Sequence, residues 1–380
     1  MIYQTNINNT MESYMKGNKY EILTNRQIAL IVLSTTIGYG ILILPKNAAE
    51  NAGTAAWVAV ALSTIYAFFV TYMFTYLGHV HPNMTMPDYS QMLVGKFLTF
   101  VFLIIYALNH FVFFTLLIRS VSEHISQTVL VRTPRAVIIF VFLLVAFYAV
   151  SKKLRVVALI CEFYGVSIYI GLVIICILLF TQGNLNNIRP LLGTYDIKSY
   201  LKASLTLSIP FSGMETLFAV PIDKANGKKV FKYTSTAIFL VGFLYILIVE
   251  SCISVRGINM IIHYKDALIE VVRSVDVVQL EFLRRLDGLF IVIWIMAVFT
   301  TVVMYFHNTV FFLSKCFNRI SYNIIAIIVT IASFCLSLLP LTPSDIEKAL
   351  NYTAYFNVIT IIFIPLILII LTKVKKHEKK

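Results

Sequence analysis

Apolar runs of about twenty residues, separated by short polar intervals, recur along the chain near 26–48, 55–78, 97–120, 135–151, 155–181, 201–222, 231–254, 286–308, 320–340 and 349–372. A helix needs about that length to cross the ~30 Å hydrocarbon core of a bilayer. The pattern therefore predicts an all-α polytopic membrane protein with ten transmembrane helices. The first and sixth runs differ from the rest. One carries Gly38-Tyr39-Gly40 in its middle, and the other carries Pro210 and Gly213 within the stretch from Ser208 to Glu215. Such residues stop helical hydrogen bonding at mid-depth. Lipid cannot satisfy the freed N–H and C=O groups, so that backbone must be buried in protein or line a cavity. Two breaks at corresponding positions of two halves point to a ligand site of the transporter type.

Dividing the runs five and five puts a broken span first in each half, 26–181 and 201–372. An odd number of spans per half gives opposite orientations, so two inverted five-helix repeats are expected, with helices 1 and 6 unwound at mid-membrane. They form one transmembrane domain, 26–372, between a polar segment at 1–25 and a basic tail at 373–380. The two breaks then meet near the midplane, where half-helix N-termini face an anionic group and loose carbonyls face a cation. Lysines and arginines sort unevenly: 18 fall on the side holding both termini and 13 on the other. Both termini are therefore expected in the cytoplasm. The 255–285 connection alternates charged and apolar residues at helical spacing from Tyr264 to Val278. It is expected as an interfacial helix on the outer surface or a solvated helical hairpin.

Composition adds constraints. Hydrophobic residues make up 59% of the 380 positions and charged residues 13%. The formal charge of +13 sits in loops and tails, where basic residues set topology beside anionic membrane lipid and do not call for nucleic acid. Five cysteines lack metal-ligand spacing, and Cys161, Cys176, Cys252 and Cys335 lie inside apolar runs. They are expected as small packing residues, with no metal, disulfide or cofactor. The first 25 residues carry no apolar stretch of signal-peptide type, so no cleavable leader is expected.

Polar groups inside the runs supply the candidate chemistry. Glu162, Glu215 and Glu250 are intramembrane carboxylates, costly enough to be functional candidates. Glu162 and Glu250 lie toward span ends, within reach of an interface or a loop cation. Glu215 follows Gly213 by two residues, so it either braces the unwound backbone or meets a ligand ammonium or a proton. Span three offers Tyr106, Asn109, His110 and Thr115. Asn109 is nearest mid-depth, where an amide needs a partner, and His110 is either a packed interior histidine or a proton relay. Thr301 and Tyr305, four apart on one face of span eight, can bond a ligand carboxylate or a helix carbonyl one turn back. Gly38-Tyr39-Gly40 lacks the strand and turn of a dinucleotide fingerprint. Ser, His and acidic residues are too dispersed to pair a nucleophile with its base, so no enzyme activity is expected.

Several motifs occur together in order: Gln27, then Ile37-Gly38-Tyr39-Gly40-Ile41-Leu42-Ile43-Leu44-Pro45, Gly53 with Trp57, and Gly95-Lys96. Arg189-Pro190-Leu191-Leu192-Gly193, Phe211-Ser212-Gly213-Met214-Glu215 and Arg285-Leu286-Asp287 with Trp294 follow. On these residues the chain resembles the spore germination receptor B subunits, the endospore germination permease family, within the amino acid-polyamine-organocation superfamily. The resemblance implies the ten-helix inverted-repeat fold of sodium-coupled amino-acid symporters. It also implies a germinant-sensing subunit in the spore inner membrane, working with an A-type membrane subunit and a C-type lipoprotein. The implied ligand is a small nutrient, often an amino acid, held by spans one, three, six and eight. On this chain those spans offer Gly38, Gly40, Asn109, Ser212, Gly213, Thr301 and Tyr305. Two other readings stand beside this one: a proton- or sodium-coupled amino-acid or polyamine transporter, and a partner-scaffolding membrane protein with a vestigial cavity.

Overall fold

The first apolar run folds as two helices parted at the glycines. Helix α1 (Asn25–Ile37) opens on a capping box: the Gln27 N–H donates to Thr24 Oγ1 (3.2 Å) and the Thr24 N–H donates to Gln27 Oε1 (3.1 Å). The pair satisfies two donors that a helix start leaves open. The helix ends at Gly38, whose φ of −37° and ψ of −119° are not helical, and α2 (Gly40–Ala52) resumes beyond it. The computed structural model describes residues 21–38, 40–193, 197–207, 209–224, 227–275, 286–339 and 342–377. Tyr39 and Ser208, one in each predicted break, lie outside the described residues.

The remaining elements follow as α3 (Ala56–Val80), α4 (Met86–Thr128, kinked at Gly95), α5 (Arg135–Ser151) and α6 (Lys153–Gln182). After α7 (Ile197–Thr206) comes a 3-10 turn (Met214–Ala219), then α8 (Gly227–Arg256), α9 (Ile258–Ile261) and α10 (Ala267–Arg273). Helices α11 (Leu286–Cys316), α12 (Tyr322–Ser337) and α13 (Pro343–Val358) are followed by a π turn (Ile359–Phe363) and α14 (Ile364–His377). No strand occurs among the described residues. Among the described residues six stretches are long and apolar enough to cross a membrane: Gly40–Val80, Met86–Thr128, Lys153–Gln182, Lys229–Arg256, Leu286–Cys316 and Phe356–Lys375. Helices α5 and α12 are apolar but shorter. The helices that lead into the breaks, α1 and α7, have 13 and 10 residues, too few to cross alone.

Helix α11 is the hub. It packs against α4, α6, α1, α5 and α12, and every residue from Thr300 to Phe312 is buried. A helix apolar on all sides belongs in such an interior position. Helix α8 packs against α3, α1, α6 and α2, so α1 is held between α8, α6 and α11. The outward faces of α5, α6 and α12 expose Phe140, Leu144, Phe163, Ile170, Ile327 and Ile331, the apolar belt that a lipid-facing surface requires.

Connections gather at two ends. At one, the Arg155 N–H donates to Glu21 Oε2 (3.0 Å), Lys375 Nζ donates to the Met92 carbonyl (2.8 Å), and the Asn83 N–H donates to the Ile222 carbonyl (2.8 Å). At the other, Thr54 Oγ1 donates to the Pro190 carbonyl (2.6 Å), Trp57 Nε1 to the Leu191 carbonyl (2.9 Å), and the Asn184 N–H to the Ser254 carbonyl (2.8 Å).

Three details depart from the sequence reading. In the 255–285 connection, Ala267, Leu268, Val271 and Val272 of α10 are buried against α2, α8 and α11. Helix α10 thus packs its apolar side against the bundle and is not solvated all round; residues 276–285 lie outside the described residues. Cys335 is exposed, whereas Cys161, Cys176 and Cys252 are buried, because α12 turns one face outward. The run expected at 349–372 belongs to a helix that starts at Pro343 on a Thr342–Asp345 capping box. Hydropathy marks depth in the bilayer, and the polar first turns of a helix lie outside it.

A Cβ added at Gly40 would overlap Pro210 Cα, backbone that cannot swing aside, whereas one at Gly288 of α11 meets nothing within 4 Å. Gly40→Ala is expected to cost about 1–3 kcal/mol through overpacking and to lower the melting temperature in detergent. Gly288→Ala is expected to leave it unchanged or raise it. Equal behaviour of the two variants would show that the first and second breaks do not touch.

Candidate functional site

The last four carbonyls of any helix lack intrahelical partners. For α1 these belong to Ser34, Thr35, Thr36 and Ile37, and they lie where no water or lipid can serve them. Hydroxyls of two neighbouring helices serve three of them. Thr300 Oγ1 lies 3.3 Å from the Ser34 carbonyl and 2.8 Å from the Ala297 carbonyl of its own helix, and Thr301 Oγ1 lies 3.1 Å from the Thr35 carbonyl. The Tyr245 hydroxyl of α8 lies 2.7 Å from the Thr36 carbonyl and 2.8 Å from the Pro210 carbonyl. One side chain thus ties the two breaks together. Gly38 is needed beside Thr301, since a Cβ there would overlap Thr301 Oγ1.

The second break turns on Gly213, whose φ of +132° is a conformation that side chains oppose. A Cβ would also press to 3.1 Å from Thr35 Oγ1, Thr36 N and Thr36 Oγ1. Glu215, fully buried, holds the turn. Its Oε2 accepts the Gly213 N–H (2.9 Å) and its Oε1 accepts the Tyr305 hydroxyl (2.5 Å). No ion pair to Glu215 occurs among the described residues. Of the two roles read from sequence, bracing of the backbone is the one this geometry displays. Asn308 Nδ2 extends the support to the Thr216 carbonyl (3.3 Å).

A third branch reaches the break from α4. Asn109 Nδ2 donates to Asn357 Oδ1 (2.8 Å), and Asn357 Nδ2 donates to Ser212 Oγ (3.0 Å). The Tyr106 hydroxyl donates to the carbonyl of Thr360, which sits in the π turn, a local widening common at functional positions. Polar capacity remains unused here. Asn109 Oδ1 and both ring nitrogens of His110 are buried without a partner among the described residues. The His110 ring lies edge-on to Tyr305 at 4.9 Å and is stacked on Phe312 at 5.8 Å. An unpaired buried polar atom costs about 1–3 kcal/mol, so a donor or acceptor brought to these atoms would recover that cost.

Every nominated residue, Gly38, Gly40, Asn109, Ser212, Gly213, Glu215, Thr301 and Tyr305, is buried. They fall into contact groups: Gly38 with Thr301, Gly213 with Thr35 and Glu215, Glu215 with Tyr305, and Asn109 with Ser212 through Asn357. Gly40 meets Pro210 instead of a side chain of the group. The paired face of Thr301 and Tyr305 divides its work, one bonding the first break and the other the second. The single Thr301 hydroxyl proton is shared with the Ala297 carbonyl one turn back, which is also at 3.1 Å. Tyr245, Thr300, Asn308, Asn357 and Thr360 were not singled out in the sequence. Asn357 carried a signal, an amide within the last apolar run, whereas Tyr245 is one of 21 tyrosines. Four cavities, of about 640, 520, 310 and 290 Å³, lie elsewhere and none has a break residue in its lining.

Two broken spans tied by hydroxyls to intact helices form a recognisable frame, and residues 22–346 match the family model Spore_permease, described as spore germination protein. The chain belongs to this spore germination protein family. Spore germination protein A2 of Bacillus subtilis (strain 168) is 28% identical over 356 residues, covering 91% of the chain and 94% of that relative. Spore germination protein KB of the same organism is 26% identical over 299 residues, 77% of the chain and 78% of the relative. Spore germination protein GerLB of Bacillus cereus is 23% identical over 370 residues, 96% and 98% of the two chains.

Solved structures agree in fold. A nucleobase-cation-symport-1 family transporter in a closed conformation with bromovinylhydantoin bound superposes with a TM-score of 0.63 at 16% identity, covering 89% of the chain and 77% of the neighbour. MhsT in complex with L-phenylalanine gives 0.62 at 11% identity, covering 93% and 89%. At such identities the likeness concerns fold alone. This member of the spore germination protein family is an integral membrane protein with a transporter fold.

Tyr245→Phe removes the hydroxyl shared by the Thr36 and Pro210 carbonyls. The expected cost is about 1–3 kcal/mol for buried acceptors left unpaired, read as a lower melting temperature of the purified protein. Tyr233→Phe, at an exposed position of the same helix, is expected to leave melting unchanged. A Tyr245→Phe protein as stable as the parent would remove the hydroxyl bridge from this account.

Proposed function

We propose that this protein is the nutrient-sensing membrane subunit of a spore germination receptor, binding a small nutrient, an amino acid by preference, at the junction of its two breaks. The observation that carries the reading is the pair Asn109 and His110, whose buried polar atoms are unpaired among the described residues, beside backbone freed by Gly38 and Gly213. The ligand-contacting set is Gly38, Gly40, Asn109, Ser212, Gly213, Thr301 and Tyr305, with Glu215 as brace and potential proton carrier. An amino acid brings both an ammonium and a carboxylate, and the breaks offer carbonyls to the first and N–H groups to the second. Ten spans arranged as two inverted repeats, 26–181 and 201–372, with flanking segments at 1–25 and 373–380, complete the proposed architecture. Both termini face the cytoplasm and the protein resides in the spore inner membrane, where it works with an A-type membrane subunit and a C-type lipoprotein. Membership of the spore germination protein family and the transporter fold support this reading.

Ligand binding would bias an equilibrium between this closed arrangement and an alternative that partner subunits read. A ligand shifts such an equilibrium only by its differential affinity for the two states. The transporter neighbours favour a second reading, ion-coupled uptake of an amino acid or polyamine. Accumulation of labelled substrate in vesicles containing this chain alone would distinguish uptake from sensing.

Gly38→Leu fills the space that Thr301 occupies beside the first break. Spores carrying the variant are expected to lose the response to nutrient, by tenfold or more in germination rate, while the protein remains present in the membrane. A normal nutrient response with normal protein level would remove the site from the breaks.

A further inference from the structure

A groove of about 640 Å³ runs between α1, α6 and α8, with Leu30, Leu33, Val166 and Leu240 as its apolar walls and Arg26, Lys229 and Lys232 at its rim. Flanking side chains place it on the lipid-facing surface: Phe163 and Ile170 on α6, and Phe239 and Phe243 on α8, are all exposed. The rim belongs to the end of the bundle that holds residue 21, since Gly227 at the start of α8 abuts His79 and Glu21 bonds the start of α6. Charge at the rim is unbalanced. Glu162 is bonded to Arg26 (3.3 Å) and Gln27 (3.2 Å), whereas neither Lys229 nor Lys232 has an acidic partner among the described residues. The two lysines are three apart on one helix, spacing that turns both toward one neighbour.

We infer that this groove is a binding site for an anionic phospholipid, its phosphate held by Lys229, Lys232 and Arg26 and one acyl chain lying along the apolar walls. A soluble phosphate compound would satisfy the rim and leave the walls bare. A zwitterionic lipid would fill the walls and bring no net charge to the rim. The anionic lipid alone matches both chemistries. Its position carries a consequence for the breaks. The walls are formed by α1 and α8, the helices joined by the Tyr245 hydroxyl at Thr36, so a lipid seated between them favours the closed pairing. This inference is independent of which nutrient binds, or whether one does.

The test uses the purified full chain, stripped of lipid in detergent, with dioleoyl phosphatidylglycerol or dioleoyl phosphatidylcholine added, and native mass spectrometry to count retained lipid. The parent is expected to retain phosphatidylglycerol with roughly tenfold preference, from about a fivefold gain per lysine near an anionic group less partial screening. Its melting temperature should rise with the anionic lipid. The double variant Lys229→Ala, Lys232→Ala should lose the preference, and Lys152→Ala with Lys224→Ala, exposed lysines of the same end, should keep it. Thr236→Phe, at an exposed groove position, should reduce retention of the anionic lipid with the charges intact. Equal retention of the two lipids by the parent would overturn the inference. So would an undiminished preference in the double variant, or displacement of the lipid by glycerol phosphate at matched concentration.

Discussion

The carbonyls at the end of α1 are the constraint on which the rest of the structure depends. A helix that stops inside a packed apolar interior leaves several acceptors without partners, and apolar side chains offer none. The protein answers with hydroxyls on intact neighbours: Thr300 and Thr301 from α11, and Tyr245 from α8. Those bonds dictate that α1 lie between the two long helices. They also require Gly38, because only a residue without a side chain lets Thr301 approach. The second break is drawn to the same place, since the Tyr245 hydroxyl also reaches Pro210 and Gly213 leaves room for Thr35 and Thr36.

Such a junction is stable yet exchangeable. Its bonds join neutral hydroxyls to carbonyls, each with a modest net worth of about 0.5–1.5 kcal/mol. An ammonium can donate to the same carbonyls in their place, and a carboxylate can accept from the hydroxyls so released, each through a charge-assisted bond. Glu215 is the exception, an acid buried with two donors and no counter-charge among the described residues. It locks the Gly213 turn to Tyr305, and through the Tyr305 ring to His110. Movement of either break therefore reaches α4 and α11 by direct contact.

Much of this was legible in the sequence. The positions of both breaks follow from Gly38, Gly40, Pro210 and Gly213, because glycine and proline act locally and their effect on a helix needs no knowledge of neighbours. The pairing of Glu215 with the break was visible as a two-residue spacing from Gly213. Contacts between distant spans were not. Nothing in the local sequence distinguishes Tyr245 from the other tyrosines, and its role arises only when α8 is laid against α1. Asn109 could be placed by depth, but its partner Asn357 lies 248 positions away. The burial of α10 escaped for a related reason: alternating charge and apolar character describes a helix with one wet face, and the dry face's partner is set by tertiary packing.

If nutrient enters at the junction of the two breaks, as proposed, a panel of amino acids, sugars, nucleosides and inorganic ions will include a compound that stabilises the purified chain against heat. A ligand that binds the folded state raises its melting temperature by mass action. The account predicts at least one stabilising amino acid, with the shift abolished in Ser212→Leu, whose bulk would occupy the space beside Asn357. A nutrient that stabilises the parent and Ser212→Leu to the same extent would contradict it, because its site would then lie away from the breaks.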